Sequence, residues 1–511
     1  MVSEWVLPDE VLAEAPSYTP RAHELADLEL LLSGAYSPLK GFMGEEEATS
    51  VVATGALPDG TGWPTPVTLD APAEVVASID SSSPMTRVLV LTDPEGAPLA
   101  AVDVASLTTQ PNERVRVGGA VRRIGEVQHG PFRRLRVSPQ EVRKTLTTPR
   151  VLGVIADRPL HRPQLAQIAR AAHTLAAHVL LIVPVAGLGP EQLPPEALVR
   201  SILAARDRLP KASIVAVPLS RRGDDVRDGL LSARVAAAYG ATHLLSTGRF
   251  FAGGAGVRIM VPRQLYYDVR DGQWRANDEV EPPYRRQALS SPEIFDMLDR
   301  GFALPEWHTP PAVATELRRA RPPRHKRGVV VFFTGLAGAG KSTIARGIYD
   351  SILETGERTV SLFDGDVLRR VLSANPAFTP EDNEANIRRI GFVAGQVGHH
   401  RGIALCCPIA PYESGRRAAR RMAAEAGSDF VLVHVSTPVE VCEERDRKGL
   451  YAKARSGKLD SVTGVSAPYE VPTDADVTID NSGDDVDAVV SEVLDYLTDG
   501  GWLEKTGLGI R

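Results

Sequence analysis

Cysteine is scarce in this 511-residue chain, which has three: Cys406, Cys407 and Cys442. So few thiols exclude a disulfide framework, and a reducing cytoplasm is the expected setting. Cys406 and Cys407 adjoin on one strand-like run and point to opposite faces, which is not metal-ligand spacing. A charge excess of one sign is also lacking. The net charge of −6 excludes nucleic-acid binding driven by a global positive field. No apolar run approaches the length that spans a bilayer. Met1-Val2-Ser3-Glu4-Trp5 lacks a basic segment followed by an apolar one, so neither a membrane partner nor a signal peptide is expected. Internal repeats and low-complexity tracts are absent. What is present is an ordinary globular composition, 43% hydrophobic and 24% charged. The length predicts about two to four domains.

The most informative stretch is Gly335-Leu336-Ala337-Gly338-Ala339-Gly340-Lys341-Ser342, followed by Thr343. It fits the phosphate-loop pattern G-x-x-x-x-G-K-[ST]. The apolar run from Val329 to Phe333 precedes it as a buried strand, and Ile344, Ile348 and Ile352 line one face of a following helix. In that setting the loop amides cradle phosphate oxygens, Lys341 reaches the β- and γ-phosphates, and the Ser342 hydroxyl meets Mg²⁺. This end of the chain is expected to bind ATP.

Along the chain the architecture is expected to be α/β and multidomain. Residues 1–148 form a β-rich module, with short strand-like pieces such as Thr86–Thr92 and Ala100–Val104 split by turn signals. Residues 149–317 alternate strands and helices, predicting a parallel, Rossmann-like sheet. Its ligand ends fall at Asp157 to Arg162 and at Gly248 to Gly253. Residues 318–327, with Arg318, Arg319, Arg321, Arg324, Lys326 and Arg327, read as a solvated basic linker. Residues 328–511 form the phosphate-loop α/β domain.

Phosphoryl transfer needs held phosphates, a metal and a placed acceptor hydroxyl. Asp364-Gly365-Asp366 sits where the second strand of that domain ends. One carboxylate there can order Mg²⁺ through water, and the other can take or orient the acceptor's proton. The basic run Arg445 to Arg455 reads as a lid closing over phosphates, or as a solvated helix face. The stretch from Phe378 through Glu381 to Arg389 holds either a purine and an anionic tail or only a charged helix over a core Phe; pattern does not choose.

Together these residues resemble adenylyl-sulfate kinase. The family's motifs run G-L-S-G-A-G-K-S-T, L-D-G-D-N-x-R, F-S-x-x-D-R-x-E-N-I-R-R, I-S-P-Y-R, K-G-L-Y-x-K-A-R-x-G and T-G-x-x-x-P-Y-E-x-P. This chain matches them with Gly335 to Thr343, Asp364 to Asp366, Arg369, Phe378, Asp382, Asn386 to Arg389, Pro411-Tyr412, Lys448 to Arg455 and Thr463 to Pro472. The resemblance implies a P-loop kinase that uses ATP and Mg²⁺ to phosphorylate the 3′-hydroxyl of adenylyl sulfate, in sulfate assimilation. It makes Asp366 the candidate base, with Lys341 and Asp364 beside it. It gives Arg369, Phe378 and Asn386 to adenylyl sulfate, with Arg389, Pro411 and Tyr412 in the same motifs, and places Lys453 in the lid. Departures occur at Val367, Asn383, Ala385, Ala410 and Glu413, which bear on substrate affinity.

The first 320 residues resemble ATP sulfurylase, which implies a PUA-like N-terminal module and a nucleotidyltransferase-type sheet. The matches are Asp27 to Met43, Trp63 to Val67, Tyr239 to His243 and Pro305-Glu306-Trp307. The family's Q-T-R-N-P-L-H-R-G-H becomes Ile155 to Gln164, keeping Arg158 and His161 but putting Asp157 where an Arg would meet an anion. Its G-R-D-H-A-G becomes Gly248-Arg249-Phe250-Phe251-Ala252-Gly253. A degenerate, inactive sulfurylase module is therefore expected, on a chain that forms a homo-oligomer. The alternatives are a bifunctional sulfate adenylyltransferase/adenylyl-sulfate kinase, and a regulatory nucleotide-binding protein.

Overall fold

The computed structural model describes residues 14–79, 87–125, 131–187, 193–246, 256–372, 380–446, 449–456, 463–483 and 485–504. The chain divides into two compact units. One comprises Met1–Ser291 with Leu304–Ala320, the other Pro292–Ala303 with Arg321–Arg511.

The first unit opens on a six-stranded sheet. Its strands are β1 (Ser17–Tyr18), β2 (Gly41–Phe42), β3 (Asp70–Pro72), β4 (Val88–Thr92), β5 (Pro98–Thr109) and β6 (Arg114–Arg123). They pair in the order β1-β4-β5-β6-β2, with β3 also on β6. The β-rich expectation holds, with helices added to the sheet, among them Ala22–Ser33 and Glu45–Thr54, whose apolar residues Leu28, Leu30 and Val51 are fully buried.

A parallel sheet follows: β7 (Val151–Ile155), β8 (His178–Ala186), β9 (Ala212–Ser220), β10 (His243–Leu245) and β11 (Arg258–Met260), in the order β11-β10-β7-β8-β9. Helices Arg162–Leu175, Pro195–Arg206 and Asp225–Ala238 make the crossovers, as parallel pairing requires. A small antiparallel sheet of β12 (Leu265–Asp268), β13 (Gln273–Ala276) and β14 (Arg285–Arg286) completes the unit. One core joins the first two sheets, running from Tyr18 and Leu28 through Leu180 and Val217.

The second unit is built on β15 (Val329–Thr334), β16 (Val360–Asp364), β17 (Ile403–Cys407), β18 (Asp429–Val435) and β19 (Val477–Ile479). These are all parallel, in the order β16-β17-β15-β18-β19. All six residues of β15 are buried because helices cover both faces. Val329, Val331 and Phe333 pack with Ile344, Ile348 and Ile352 on one face. Val330 and Phe332 pack with Ile387, Ile390 and Ala419 on the other. Cys407 and Cys406 fall on these opposite faces, as the strand period requires.

Within the basic stretch 318–327, Arg318, Arg319 and Lys326 are exposed, as expected of a solvated linker, but Arg321 and Arg327 are packed. Helix Pro311–Ala320 buries Val313, Ala314 and Leu317. Arg321 holds Asp299 with two hydrogen bonds, at 2.6 and 2.8 Å. Arg327, 6% exposed, pairs with Asp299 and Asp429. Guanidinium groups that find carboxylates this way leave solvent despite their charge. Among the described residues no helix is long and apolar enough to cross a membrane.

Candidate active sites

In the second unit the phosphate loop, Asp364 and the Pro411-Tyr412 segment each lie at or after the carboxyl end of a strand, where open parallel sheets bind ligands. β15 delivers the phosphate loop. Gly335, Gly338 and Gly340 have φ of +147°, +79° and +101°. A Cβ on Gly340 would lie 2.1 Å from Asn481 Nδ2, and one on Gly335 would lie 2.4 Å from the Val435 carbonyl oxygen. Both positions therefore admit glycine alone. Helix Lys341–Thr355 starts directly after the loop, aiming its N-terminus at the cradle. Lys341 is 7% exposed and its Nζ donates to the carbonyls of Gly335 and Leu336, at 2.9 and 2.8 Å. The Lys341 ammonium group is thus folded back along the loop.

β16 brings Asp364 alongside. Ser342 Oγ donates to Asp364 Oδ2 at 2.8 Å. Asp364 Oδ1 accepts from the Val367 amide at 3.3 Å. Asp364 ends the strand, whereas Asp366 lies on the next helix, Gly365–Leu372, so the Asp-Gly-Asp run is a strand-to-helix junction and not a turn. Gly365 approaches β17 closely, since a Cβ there would lie 3.1 Å from Pro408 Cα. The side chains of Asp366 and Arg369 lie outside the described residues, as does Phe378. Asn386 is 5% exposed on helix Pro380–His399, and Arg389 on the same helix is exposed. Pro411 is buried and Tyr412 half-buried after β17. Lys453 is exposed on helix Leu450–Arg455, whose entry Asp446 caps by accepting from the Leu450 and Ala452 amides at 2.8 and 3.0 Å.

Three residues from later in the chain shape the loop from behind, and of these only Tyr451 lies in a motif read from the sequence. Thr437 Oγ1 and Asn481 Nδ2 both donate to the Ala339 carbonyl at 3.0 Å. Tyr451 Oη donates to the Ala337 carbonyl at 2.8 Å. Across a trans peptide the N–H points opposite to the C=O, so these bonds turn the amides of Gly338 and Gly340 to the other side of the loop. Their one sequence signal is position: Thr437 and Asn481 each follow the end of a strand.

In the first unit, Asp157 follows β7. Arg158 Nε lies 3.5 Å from its carboxylate and Arg221 Nη1 3.9 Å. Arg158 is thus paired with the acidic replacement beside it. His161 precedes helix Arg162–Leu175 and is 6% exposed. Its Nδ1 lies 3.0 Å from Thr309 Oγ1, and its ring is 4.7 Å from that of His308. Burial, aided by His308, pushes its pKa down to about 3, so the imidazole is neutral at pH 7. Gly248 and Arg249 lie outside the described residues.

Among the described residues no group of three His, Cys, Asp or Glu side chains could hold a metal. The adjacent Ser342 hydroxyl and Asp364 carboxylate do suit Mg²⁺, which takes few protein oxygens and completes its shell with water and substrate phosphate.

Fold and sites define a P-loop phosphotransferase unit joined to a parallel-sheet nucleotidyltransferase-type unit. Comparison with known proteins agrees. Residues 327–480 match the adenylylsulphate kinase family, 133–273 the ATP-sulfurylase family and 9–116 a PUA-like domain. Sulfate adenylyltransferase of Aspergillus fumigatus is 32% identical over 98% of this chain and 96% of its own length. That of Coccidioides immitis is 33% identical over 97% and 96%. The hexameric APS kinase from Thiobacillus denitrificans is 32% identical, covering 97% of this chain and 95% of its own, with a TM-score of 0.72. The chain belongs to the sulfate adenylyltransferase family, in the form that fuses an ATP-sulfurylase region to a C-terminal adenylylsulfate kinase domain. The expectation that sulfurylase activity is lost does not stand as the favoured one: relatives named for that activity align with nearly the whole chain.

Proposed function

We propose that the chain phosphorylates the 3′-hydroxyl of adenylyl sulfate with ATP and, on the weight of its relatives, also carries the sulfate adenylyltransferase step that makes adenylyl sulfate. The observation that carries the kinase half is the phosphate loop with Lys341 at its helix start and Ser342 hydrogen-bonded to Asp364 at 2.8 Å. In this reading the amides of the Gly335–Thr343 loop and Lys341 hold the ATP phosphates. Ser342 and Asp364 hold Mg²⁺, which when bound neutralises charge on the phosphate oxygens. Asp366 accepts the acceptor's proton. Arg369, Phe378, Asn386, Arg389, Pro411 and Tyr412 hold adenylyl sulfate, and Lys453 closes with the lid helix to exclude water. The chain acts as a homo-oligomer in the cytoplasm; the hexameric state of its Thiobacillus denitrificans relative supports the oligomer.

A second reading, kinase activity alone, is favoured by one set of observations. Asp157 stands where the sulfurylase pattern has Arg, and His161 is buried and neutral. Adenylyl transfer calls for positive charge at the α-phosphoryl group. The APS kinase of Thiobacillus denitrificans also aligns with both units.

Two assays on the full chain separate these readings. With ATP and adenylyl sulfate, ADP should form, and Lys341→Ala should reduce turnover about 10²- to 10³-fold, as loss of one preorganised charge donor does. No turnover by the wild type ends both readings. With adenylyl sulfate and pyrophosphate, ATP should form and His161→Ala should abolish it. If no ATP forms while ADP production persists, the kinase-only reading replaces the bifunctional one.

A further inference from the structure

Two unfavourable features meet at one carbonyl group. Ala410 has a φ of +47°, in the left-handed region that residues with a Cβ enter only under constraint, and is 2% exposed. Its carbonyl accepts from Arg416 Nη1 at 2.8 Å. Arg416 is itself 3% exposed, and its Nε has no hydrogen-bond partner among the described residues. The nearby Glu413 carboxylate is taken by Arg417, at 2.5 Å. A buried guanidinium with an unpartnered Nε is costly, and a buried left-handed alanine is strained. Each accounts for the other if the guanidinium holds the carbonyl where that φ places it.

The same segment is held from two further sides. Thr334 Oγ1 donates to the Ile409 carbonyl at 2.7 Å, lies 3.2 Å from the Ala410 carbonyl oxygen and 3.1 Å from Tyr469 Oη. The Gly335 amide also reaches the Ile409 carbonyl, at 3.4 Å. From the region after the lid, the Glu470 amide donates to the Pro411 carbonyl at 2.9 Å, and the Glu470 carboxylate accepts from the Glu413 amide at 2.6 Å. Residues 409–413 thus connect the start of the phosphate loop to Pro411 and Tyr412, and Arg416 supplies the charged bond in that frame.

We propose that Arg416 is a positioning residue for the acceptor side of the site: by clamping the Ala410 carbonyl it fixes the turn that presents Pro411 and Tyr412. The proposal rests on the reading of those two residues as part of the adenylyl sulfate site. Arg416 acts through the backbone and touches neither substrate.

Melting and kinetics of the full chain with Arg416→Gln, Ala410→Gly and the double variant test it. Glycine bears a left-handed φ without strain, so R416Q should lower the melting temperature clearly less in the A410G background than alone. R416Q should also raise KM for adenylyl sulfate about tenfold, and KM for ATP less than about twofold, since one charged hydrogen bond is lost on the acceptor side only. A410G should restore part of that loss. Additive melting shifts, or equal changes in both KM values, overturn the proposal. If R416Q does not fold, A410G alone decides: its melting temperature should rise by relief of strain, and no rise overturns the clamp. If the wild type lacks kinase turnover, the proposed function fails while the melting comparison still judges the clamp.

Discussion

At the scale of single residues, identity and environment part company at His161. The sulfurylase-like pattern keeps this histidine, yet the fold buries it against Thr309 and His308 and drives its pKa to about 3. The ordinary value is 6.5, so the folded state binds fewer protons than the unfolded state across the interval between them. A depressed folded pKa contributes stability that is present above pH 6.5 and is lost as the pH falls toward 3. His161→Asn should therefore flatten the acid side of the first unit's stability profile. Melting temperatures of wild type and variant between pH 7.5 and 4.5 check this, about the range over which histidine linkage acts. Equal slopes would mean that His161 is solvated and titrates normally. The same neutrality bears on function, because an imidazole that stays uncharged at pH 7 supplies no positive charge to a phosphoryl group, although it can still donate one hydrogen bond.

At the scale of elements, the phosphate loop was legible because its requirements are local. Glycines at fixed spacing, a strand of buried β-branched and aromatic residues before it and an isoleucine stripe after it all lie within one stretch of sequence, and the structure has each of them. The parallel alternation between Val151 and Leu245 was legible for the same reason: each strand and helix carries its own period. What was not legible is what comes from far away in the chain. Asn481 lies 142 positions from the Ala339 carbonyl it holds, and Tyr451 lies 114 from Ala337; no period or spacing links them. The helices Ala22–Ser33 and Glu45–Thr54 of the first module were hidden by the density of strand-like pieces around them.

This distinction makes a prediction about glycine. Gly340→Ala places a Cβ 2.1 Å from Asn481 Nδ2 at a φ of +101°. Asn481 cannot withdraw without releasing Ala339. The variant should bind ATP more than tenfold more weakly, with a melting loss beyond the roughly 1–2 kcal/mol that a left-handed alanine costs. Gly356→Ala is the comparison, with a φ of +66° and nothing within 4 Å of the added Cβ. It should show the strain cost alone and unchanged ATP affinity. Calorimetric titration with a non-hydrolysable ATP analogue measures both, and equal affinities for the two variants would remove Asn481 from the account of the loop.

At the scale of the whole molecule, the division into units does not follow the chain. Residues 292–303 belong to the kinase unit although 304–320 return to the first. A boundary placed at 318–327 from composition, or at the start of the kinase family match at residue 327, separates Asp299 from its partners. Asp299 accepts from Arg321 and from the buried Arg327, which also holds Asp429; Trp502 Nε1 donates to that second carboxylate at 2.7 Å. Burial raises the Asp299 pKa, but the hydrogen bonds from Arg321 and Arg327 outweigh it and leave the value lowered. Stability from this pairing is therefore present above the ordinary carboxylate range and lost as the pH falls through it. Asp299→Ala should destabilise the kinase unit of the full chain by about 3–5 kcal/mol, because it leaves Arg321 and Arg327 charged and underpaired. Denaturant titration with retained ATP-analogue binding as the readout measures the loss in that unit alone. Glu425→Ala is the control, since Glu425 pairs with Arg421 on the exposed surface of the same unit, where ion pairs contribute about 0–1 kcal/mol. A loss at Asp299 no larger than at Glu425 would mean that the pairing with Arg321 and Arg327 does not hold residues 292–303 in the kinase unit.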